Sequence, residues 1–313
     1  MMTLLLETMR YEAPGIVSLE LYGSDLPRWA PGAHIELALP NGMARSYSLL
    51  PPRAEAPGRY RIGVLNVPGG QGGSACVHHT LRVGQMVQIS PPRNHFPCDL
   101  TAAQSVLLAG GIGITPLYAM AKALLAAGQE VKLIYCARSQ AQAAFLGELQ
   151  NLHGLELSCR FDDEHSGPPD LLALLRGYPR ETRFYACGPA PMLLAFQSAC
   201  AALGYSHVGL EYFAPPVAPA SAAAPGSFNV VLQRSQKTFP VTADESILAK
   251  LLAEGVECEF SCREGLCGSC ETTVLAGVPA HADFVLTESE RASNRKMMIC
   301  VSRSAGAELV LDL

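Results

Sequence analysis

Residues 262–270 read CREGLCGSC, with cysteines at positions 262, 267 and 270. A fourth cysteine, Cys300, follows after 29 intervening residues in the segment MMIC. The chain has 11 cysteines, and five of them lie between positions 258 and 300. An odd total in a chain without an export signal does not fit a disulfide framework. The concentration therefore indicates a site that binds its ligand through thiolates.

The spacing of these cysteines is typical of plant-type [2Fe-2S] centres, with four and then two residues between the clustered cysteines and one distant partner. Gly265 and Gly268 leave little side-chain bulk in the loop, so backbone N–H groups can approach the cluster sulfurs. A zinc site usually takes two paired C-x2-4-C knuckles, and only one is present. Zinc and unligated core cysteines are the alternatives. The predicted metal ligands are Cys262, Cys267, Cys270 and Cys300, and Cys258 is expected to be a spare thiol.

Length and composition favour a folded protein with several domains. The chain has 313 residues, 49% apolar and 16% charged, which allows two or three domains with their own cores. A net charge of −5 does not favour nucleic-acid binding. Residues 228–313 hold 8 basic and 12 acidic residues, so this part could steer a basic partner, or be ordinary solvated surface. The opening MMTLLLETMR lacks a basic n-region, and we expect a cytoplasmic protein.

The hydrophobic pattern divides the chain into three segments and a linker. Short apolar runs separated by turns predict an antiparallel β-barrel or sandwich over residues 1–100. Alternating strand and helix patterns predict a parallel sheet with crossover helices over residues 101–214. The stretch PPVAPASAAAPGS, residues 215–227, is uncharged and without periodicity, as linkers are. Residues 228–313 have the size of a small domain.

The segment LAGGIGITPL, residues 108–117, follows an apolar strand pattern and precedes a helix. Its glycines would let backbone amides and the helix N-terminus approach a pyrophosphate. We expect the helix to start at Thr115 or Pro116, with Thr115 as the N-cap. Residues 106–128 are apolar enough to resemble a membrane span, but their GG, TP and Lys122 favour a strand, a turn and a helix.

A second turn, YACGPAPM at residues 185–192, also lies between a strand and a helix, where ligands bind in open parallel sheets. The usual dinucleotide fingerprint has an acidic residue about 20 positions after its glycines, at the end of the next strand. Here that strand ends in Arg138 and Ser139, so the chain is not a usual Rossmann dehydrogenase. Glycines that serve only helix–sheet packing are the structural alternative.

The third motif is ARSYSLL, residues 44–50, which is joined by GGQGGSA at residues 69–75. The Arg-x-Tyr-Ser strand offers a guanidinium for a phosphate, an aromatic face for a ring system and a hydroxyl for a ring heteroatom. The glycine-rich turn offers amide and hydroxyl donors for a phosphate. Each motif taken alone is equally consistent with an ordinary strand and loop.

Together the motifs resemble the phthalate dioxygenase reductase family, to which vanillate O-demethylase reductases are similar. Its members combine a flavin barrel with R-x-Y-S, a nicotinamide domain with GGIGITP and CGP, and a C-terminal plant-type ferredoxin. The resemblance covers essentially the whole chain, down to the closing AELVLDL. It implies an antiparallel β-barrel, an α/β domain with a parallel sheet, and a β-grasp ferredoxin domain.

The resemblance also implies roles for individual residues. The flavin would contact Arg45, Ser46, Tyr47, Ser48, Gly72, Gly73, Ser74, Thr115 and Phe213. The nicotinamide nucleotide would lie against Gly110, Gly111, Gly113, Pro116, Arg138, Cys187, Gly188 and Pro189. Cys187 and Thr115 are the two candidates for positions beside the reacting rings, and a packed thiol at a strand end is the alternative for Cys187.

The resemblance implies a relay in which NADH reduces FMN, FMN reduces the [2Fe-2S] cluster, and the cluster reduces a terminal oxygenase. FAD in place of FMN, and NADPH with Arg138 at its 2′-phosphate, stay open. We expect a monomer that binds neither nucleic acid nor membrane. The alternatives are a stand-alone NAD(P)H diaphorase or oxidase with another acceptor, and a non-catalytic redox-sensing or interaction module.

Overall fold

The computed structural model describes residues 1–53, 58–165, 167, 169–216 and 226–313. The chain divides into two compact units, Met1–Phe213 and Ala214–Leu313. The first unit contains an antiparallel barrel and a parallel sheet, and the second contains a separate mixed sheet. Most of the predicted linker lies at residues 217–225, outside the described residues.

A closed antiparallel barrel forms the first part of the first unit. Its strands are β1 (Met2–Ala13), β2 (Ile16–Tyr22), β3 (Ala33–Ala38), β4 (Ala44–Leu50), β5 (Arg59–Leu65), β6 (Met86–Ile89) and β7 (Arg93–Asn94). Their order is β4-β5-β2-β1-β6-β3-β7, and an additional pairing of β3 with β4 closes the barrel. Closure satisfies the backbone donors and acceptors that an open sheet edge would expose. A short helix, α1 (Gly73–His79), lies between β5 and β6 in the chain.

Alternation along the strands separates the barrel core from its outer face. In β3, Ile35 and Leu37 are fully buried in the barrel core. Tyr47 of β4 is the register partner of Ile35 and packs against the same core. Ser48 is the partner of His34, so both side chains lie on the outer face of the barrel, where both are buried. The predicted flavin strand therefore presents successive residues to opposite sides of the barrel wall.

The second sheet is parallel, as the alternating pattern predicted. Its strands are β8 (Gln104–Gly110), β9 (Glu130–Ala137), β10 (Leu155–Phe161), β11 (Arg183–Gly188) and β12 (Val208–Tyr212), in the order β10-β9-β8-β11-β12. The helices of this part are α2 (Ile114–Ala126), α3 (Leu146–Gln150), α4 (Leu171–Leu174) and α5 (Ala190–Leu203). Alternate residues of β8 enter two separate apolar clusters, one with α2 and one with α5. Helices thus cover both faces of the sheet. The order in which strands are added reverses at β8, because β9 and β10 lie on one side of it and β11 and β12 on the other.

The apolar segment 106–128 forms strand β8, a 3-10 turn at Gly111–Gly113, and helix α2. The predicted N-cap is wrong, because α2 begins at Ile114 with Gly113 as its N-cap. Thr115 lies inside the first turn, where its Oγ1 donates to the Ile112 carbonyl at 3.0 Å. The 3-10 turn tightens the entry to the helix and moves its start upstream.

The second unit has the predicted β-grasp arrangement. Its elements are β13 (Phe228–Leu232), β14 (Lys237–Val241), α6 (Ile247–Ala253), β15 (Glu271–Ala276), β16 (Pro279–Ala280), α7 (Glu288–Ser293), β17 (Lys296–Met298), β18 (Arg303–Ser304) and β19 (Glu308–Leu311). The sheet order is β14-β13-β19-β15-β17, with β13 and β19 parallel. Helix α6 contributes Ile247, Leu248 and Leu251 to the core beneath this sheet. The barrel, the parallel sheet and the β-grasp unit together confirm the predicted multidomain fold class.

Among the residues that the structure describes, no helix combines the length and the apolar character needed to cross a membrane.

Candidate functional site

The two glycine turns of the parallel sheet pack directly against each other. A Cβ atom added to Gly113 would lie 2.2 Å from the carbonyl oxygen of Cys187. A Cβ atom at Gly110 would lie 2.6 Å from Cδ of Pro189, and one at Gly188 would lie 2.9 Å from Cα of Gly110. Neighbouring strands β8 and β11 end here at the same edge. Because only hydrogen fits at these positions, glycine is required for the two backbones to come this close.

The remaining nucleotide candidates lie around this crossing. Gly111 has φ +54°, which L side chains rarely adopt, in the 3-10 turn before α2. Pro116 is buried in the first turn of α2, and Pro189 is the N-cap residue of α5. Arg138 is exposed after β9, and its carbonyl accepts a hydrogen bond from the Asp163 amide at 3.1 Å. Backbone amides and an exposed guanidinium thus surround the carboxyl edge of the sheet.

Three polar side chains from three strands meet beside these turns. Cys187 of β11 is fully buried, and its thiol donates to Oε2 of Glu211 in β12 at 4.0 Å. The Ser48 hydroxyl of β4 donates to the same carboxyl oxygen at 3.5 Å. The β11–β12 register places Cys187 opposite Glu211. Strand pairing and barrel packing therefore bring together one group from the predicted flavin strand and two from the parallel sheet.

Burial controls the protonation of this group. Desolvation raises the pKa of the Glu211 carboxyl to about 8, although the hydrogen bond from Ser48 acts in the opposite direction. Desolvation, and then the nearby carboxylate of Glu211, raises the pKa of the Cys187 thiol well above its ordinary value. Both groups therefore hold their protons at neutral pH. Cys187 is not poised as a nucleophile, which would need a depressed pKa.

The predicted phosphate elements of the barrel come together around Arg45. A Cβ atom at Gly73, the first residue of α1, would lie 2.8 Å from Cγ of Arg45. The guanidinium donates to Oε1 of Gln71 at 2.7 Å and to the Ala44 carbonyl at 2.8 Å. Gly72 has φ +93°, a left-handed conformation that suits glycine at this N-cap position. One cation and the start of a short helix thus share a single surface.

The other predicted flavin residues occupy different environments. Desolvation raises the pKa of Tyr47 to about 12, against the opposing effect of Arg45. Ser74 Oγ accepts a hydrogen bond from the Val67 amide at 3.0 Å and so braces the glycine-rich turn. Ser46 is exposed on the outer face of β4. The predicted flavin residues therefore include a desolvated aromatic ring and an exposed hydroxyl on β4, and a hydroxyl in α1 that braces the glycine-rich turn.

Thr115 and Phe213, the last two predicted flavin residues, differ in their exposure to solvent. Thr115 is 2% exposed, and a Cβ atom at Gly63 of β5 would lie 2.9 Å from its methyl group. Thr115 therefore packs α2 against the barrel, and its hydroxyl is directed to a backbone carbonyl. Phe213 directly follows β12 and is 41% exposed, an unusual exposure for a large aromatic side chain.

The four predicted metal ligands stand as two pairs of interacting thiols in the second unit. The side chain of Cys262 is hydrogen-bonded to that of Cys267, and the side chain of Cys270 to that of Cys300. These contacts lower the pKa of Cys267 to about 5 and raise that of Cys262, and they likewise lower the pKa of Cys300 and raise that of Cys270. Among the described residues, no three ligand side chains converge as they would on a single metal ion. Two pairs of sulfurs suit a pair of irons.

Backbone amides of the loop are directed at these sulfurs. The amides of Glu264 and Leu266 donate to Cys262 Sγ at 3.3 and 3.5 Å, and the amide of Cys262 donates to Cys267 Sγ at 3.4 Å. Gly265 and Gly268 have φ values of +71° and +74°, which turn the loop back on itself. Donors of this kind stabilise negative charge on cluster sulfurs. The donor set therefore fits a [2Fe-2S] cluster, with three ligands from the loop and one beyond β17.

Sequence reasoning missed Glu211. The family resemblance assigns a role only to Phe213 in the segment EYF, residues 211–213, although a carboxylate within the strand VGLEY is an anomaly in an otherwise apolar pattern. That anomaly was the available signal, because a charged side chain in a sheet strand needs either solvent or a special partner. The partners, Ser48 and Cys187, are distant in sequence and became visible only in the fold.

Comparison with known proteins agrees with this geometry. The 2Fe-2S iron-sulfur cluster binding domain family matches residues 230–305, and the oxidoreductase NAD-binding domain family matches residues 107–198. Phenoxybenzoate dioxygenase subunit beta of Ectopseudomonas oleovorans is 46% identical over 99% of this chain and 97% of its own length. Vanillate O-demethylase oxidoreductase of Pseudomonas sp. (strain HR199 / DSM 7063) is 40% identical over the full length of both chains.

Among solved structures, phthalate dioxygenase reductase matches 100% of this chain and 98% of its own, with a TM-score of 0.71 and 33% identity. That protein is described as a modular structure for electron transfer from pyridine nucleotides to [2Fe-2S]. The identities and coverage confirm the predicted resemblance. The chain belongs to the phthalate dioxygenase reductase family, and it is an oxidoreductase that joins an NAD-binding domain to a [2Fe-2S] domain.

Proposed function

We propose that this chain carries electrons from NADH through FMN to a [2Fe-2S] cluster and on to the terminal component of an oxygenase system. The observation that carries the proposal is the pairing of four cysteine sulfurs under backbone amide donors. The crossed glycine turns of the parallel sheet supply a nucleotide site in the same chain. The similar phenoxybenzoate dioxygenase subunit supports an oxygenase as the acceptor.

NADH gives up two electrons as a hydride, whereas a [2Fe-2S] cluster accepts them singly, so a flavin supplies the conversion from paired to single electrons. In this chain Arg45 and the start of α1 would hold the flavin phosphate. Tyr47 and Phe213 would offer aromatic surface to the ring system, and Ser48 a hydroxyl. Thr115 would keep α2 seated against the barrel beside that ring.

On the nucleotide side, the crossed turns at Gly113 and Gly188 would bind the nucleotide through backbone groups. The place where the nicotinamide meets the flavin would be lined by Cys187, Glu211 and Ser48. Glu211 would hold a proton there. Hydride transfer needs no general base, so the role of this group is to position the rings and exclude water.

In the second unit, Cys262 and Cys267 would bind one iron, and Cys270 and Cys300 the other, because these are the thiols that lie together. The loop amides would then offset the negative charge of the cluster. Cys258 would stay unligated.

The proposed electron donor, oligomeric state and location of the protein are as follows. NADH is the donor, as the resemblance to the phthalate dioxygenase reductase family implies, and Arg138 at the expected ribose position is the residue that would meet a 2′-phosphate if NADPH bound instead. The protein acts as a monomer, without nucleic acid and without a membrane anchor. We place it in the cytoplasm, where a pool of NADH is available and where its 11 free cysteines, all within the described ranges, stay reduced.

The test is a visible spectrum of the purified protein with cofactor extraction. We expect flavin and [2Fe-2S] absorbance together, FMN as the released flavin, and faster bleaching by NADH than by NADPH. Release of FAD would instead identify an FAD-containing relative. Absence of the iron–sulfur absorbance after anaerobic reconstitution would contradict the proposal.

Acceptor assays separate the remaining candidates. A stand-alone diaphorase or oxidase would reduce another carrier quickly and no purified oxygenase component. A redox-sensing or interaction module would bind all cofactors and still fail to oxidise NADH with any acceptor. The proposed reductase transfers electrons from NADH to an oxygenase component and loses that transfer when the cluster is absent.

A further inference from the structure

Asp283 is a buried acidic residue in the second unit that none of the steps above uses. Its side chain is fully inaccessible to solvent. Oδ2 accepts hydrogen bonds from the amides of Val285 at 3.2 Å and Leu286 at 2.9 Å. A buried carboxylate costs free energy unless it is paired and hydrogen-bonded, so its contacts indicate a specific structural task.

One set of contacts leads from Asp283 to the three-cysteine loop. The amide of Phe284, the next residue, donates to the carbonyl of Gly265 at 2.9 Å. A Cβ atom at Gly265 would lie only 3.1 Å from Cα of Asp283. Gly265 lies between the two amides that donate to Cys262, and its own amide is hydrogen-bonded to the Cys300 thiol. The position of the 283–284 backbone therefore fixes where three amides of the loop are directed.

A second set leads to the fourth ligand. The Ser302 hydroxyl, two residues after Cys300, donates to Oδ1 of Asp283 at 3.4 Å. The same hydroxyl accepts a hydrogen bond from the Ala282 amide at 3.2 Å. Ser302 is completely buried, so no water replaces these bonds. The segment that carries Cys300 is thus tied to the same short stretch as the loop that carries the other three cysteines.

Two further side chains approach the buried carboxyl group of Asp283. The guanidinium of Arg291 donates to the backbone carbonyl of Asp283, and its Nη2 lies 3.8 Å from Oδ2. Nδ1 of His281 lies 3.6 Å from Oδ1, and the His281 side chain is 9% exposed. With partners on both oxygens, the carboxylate is held in one place rather than free to change rotamer.

We propose that Asp283 is a positioning residue for the iron–sulfur site, which sets the separation between the three-cysteine loop and the segment of Cys300. This inference rests on the proposed ligation by the four cysteines. Asp283 does not touch the metals. It acts through Gly265 on one side and through Ser302 on the other.

The test compares Asp283→Ala, Asp283→Asn and Ser302→Ala in the full chain with Asp312→Asn as the matched control. Asp312 is an acidic residue of the same unit, paired at the surface with Arg234. We measure the electron paramagnetic resonance spectrum of the reduced cluster, its midpoint potential, and the rate of cluster loss to an iron chelator. These readouts report ligand geometry and do not depend on turnover.

For Asp283→Ala we expect changed g-values, a shifted potential, and cluster loss accelerated on the order of tenfold, the effect of losing about one buried hydrogen bond. Asp283→Asn keeps an oxygen for the two amides and should recover part of the difference. Ser302→Ala should change the spectrum by itself. Asp312→Asn should match the unchanged protein in all three measurements.

An Asp283→Ala protein that behaves like the Asp312→Asn control in all three readouts overturns the inference. If Asp283→Ala does not fold, Ser302→Ala decides in the same way, because it removes the tie to the Cys300 segment alone. Failure of the proposed ligation is a separate result. In that case Cys267→Ser would keep a normal cluster spectrum, whatever the Asp283 variants do.

Discussion

The five cysteines of the second unit are individually of two kinds. Four are candidate cluster ligands, and Cys258 is not. Cys267, Cys270 and Cys300 are each at most 7% exposed and lie beside another thiol. Desolvation alone raises the pKa of the Cys258 thiol, and no neighbouring thiol contributes to the shift. A buried thiol that is next to another thiol can become a thiolate when a metal supplies positive charge. An isolated thiol behaves as a small apolar side chain.

We expect Cys267→Ser to lose the cluster, because a serine hydroxyl is a poor replacement for a thiolate on iron. NADH should still reduce the flavin, whereas delivery to one-electron protein acceptors should be abolished. The measurements are iron content, the visible spectrum, and reduction of the flavin and of cytochrome c in parallel. Cys258→Ser is the control and should keep all of these properties. Delivery that survives in Cys267→Ser would show that the order of carriers is wrong.

Glu211 gives the first unit a predictable dependence on pH. Its carboxyl pKa rises from an ordinary 4.5 to about 8 on folding, because burial disfavours the charged form. The folded chain therefore binds this proton more tightly than the unfolded chain. The resulting stability is fully present below pH 4.5 and is lost as the pH rises through about 8. One pKa unit corresponds to about 1.4 kcal/mol, so a shift of this size corresponds to about 5 kcal/mol at most, and the partial solvent exposure of Glu211 reduces that figure.

We expect Glu211→Gln to flatten the fall in unfolding free energy between pH 5 and pH 8.5, since glutamine does not titrate. Urea unfolding of the cofactor-stripped protein can be followed by Trp29, the single tryptophan, which packs against the barrel core. The control is Glu181→Gln, an exposed glutamate of the same unit. Equal pH slopes for Glu211→Gln and the unchanged protein would mean that the carboxyl is solvated.

Two neighbouring turns decide the shape of the proposed nucleotide site. Strands β8 and β11 are hydrogen-bonded neighbours, and the turn after each one lies against the other. Gly113 has an ordinary helical backbone, φ −61°, so its glycine is required for space and not for conformation. The close approach at Gly113 is therefore a steric property of the pair of turns.

We expect Gly113→Ala to weaken NADH binding and to destabilise the first unit by about 2 kcal/mol, as overpacking of a tight contact does. The added Cβ would lie 2.2 Å from the backbone oxygen of Cys187, which cannot move without shifting β11. The measurements are the NADH dissociation constant and urea unfolding by Trp29 fluorescence.

Gly147→Ala provides the control. Gly147 lies in helix α3 with no atom within 4 Å of an added Cβ, and alanine favours helices over glycine by up to about 1 kcal/mol. This variant should bind NADH normally and be slightly more stable. Normal NADH affinity in Gly113→Ala would show that the crossing of the turns is not part of the nucleotide site.

Within the first unit as a whole, a buried ion cluster joins the barrel to the part that contains the parallel sheet. Arg61 of β5 is inaccessible to solvent, and its guanidinium donates to Glu148 of α3 at 2.7 and 2.9 Å and to Glu12 of β1 at 3.2 Å. The guanidinium also lies 4.9 Å above the ring of Phe145. Desolvation alone would lower the pKa of Arg61, but the hydrogen bond and charge of Glu148 outweigh it and raise the pKa. The charge is therefore kept, and the barrel and the nucleotide part are held in one arrangement.

We expect Arg61→Met to destabilise the first unit by about 3 kcal/mol, because Glu12 and Glu148 would lose their buried counter-charge and keep only the partly exposed Arg53 as a partner. Arg59→Met is the matched control on the same strand. Its pair with Glu7 is partly exposed to solvent and screened by water, so breaking it should destabilise the unit much less than removing the buried Arg61. Urea unfolding by Trp29 fluorescence measures both. Similar losses for the two variants would mean that Arg61 does not stabilise the junction.

Local patterns predicted most of this architecture. Apolar and polar residues alternate in β3, and strand and helix patterns alternate along residues 101–214. Both are properties of neighbouring residues in the chain, so the barrel and the parallel sheet could be inferred from the sequence. The cysteine loop could be inferred from the spacing of its cysteines. The N-cap at Thr115 could not, because the 3-10 turn before α2 depends on how Gly113 packs against β11. Glu211 was missed for the same reason: its partners come from β4 and β11.

The sequence by itself determined the fold class, the order of the functional parts, and which four cysteines are the candidate ligands, since spacing and periodicity are encoded along the chain. The tertiary structure alone decided which thiols pair, that Ser48, Cys187 and Glu211 meet, and that Asp283 ties the cluster loop to the Cys300 segment. These are contacts between distant residues. They depend on strand register and on burial, because desolvation and distance arise only after the chain has packed.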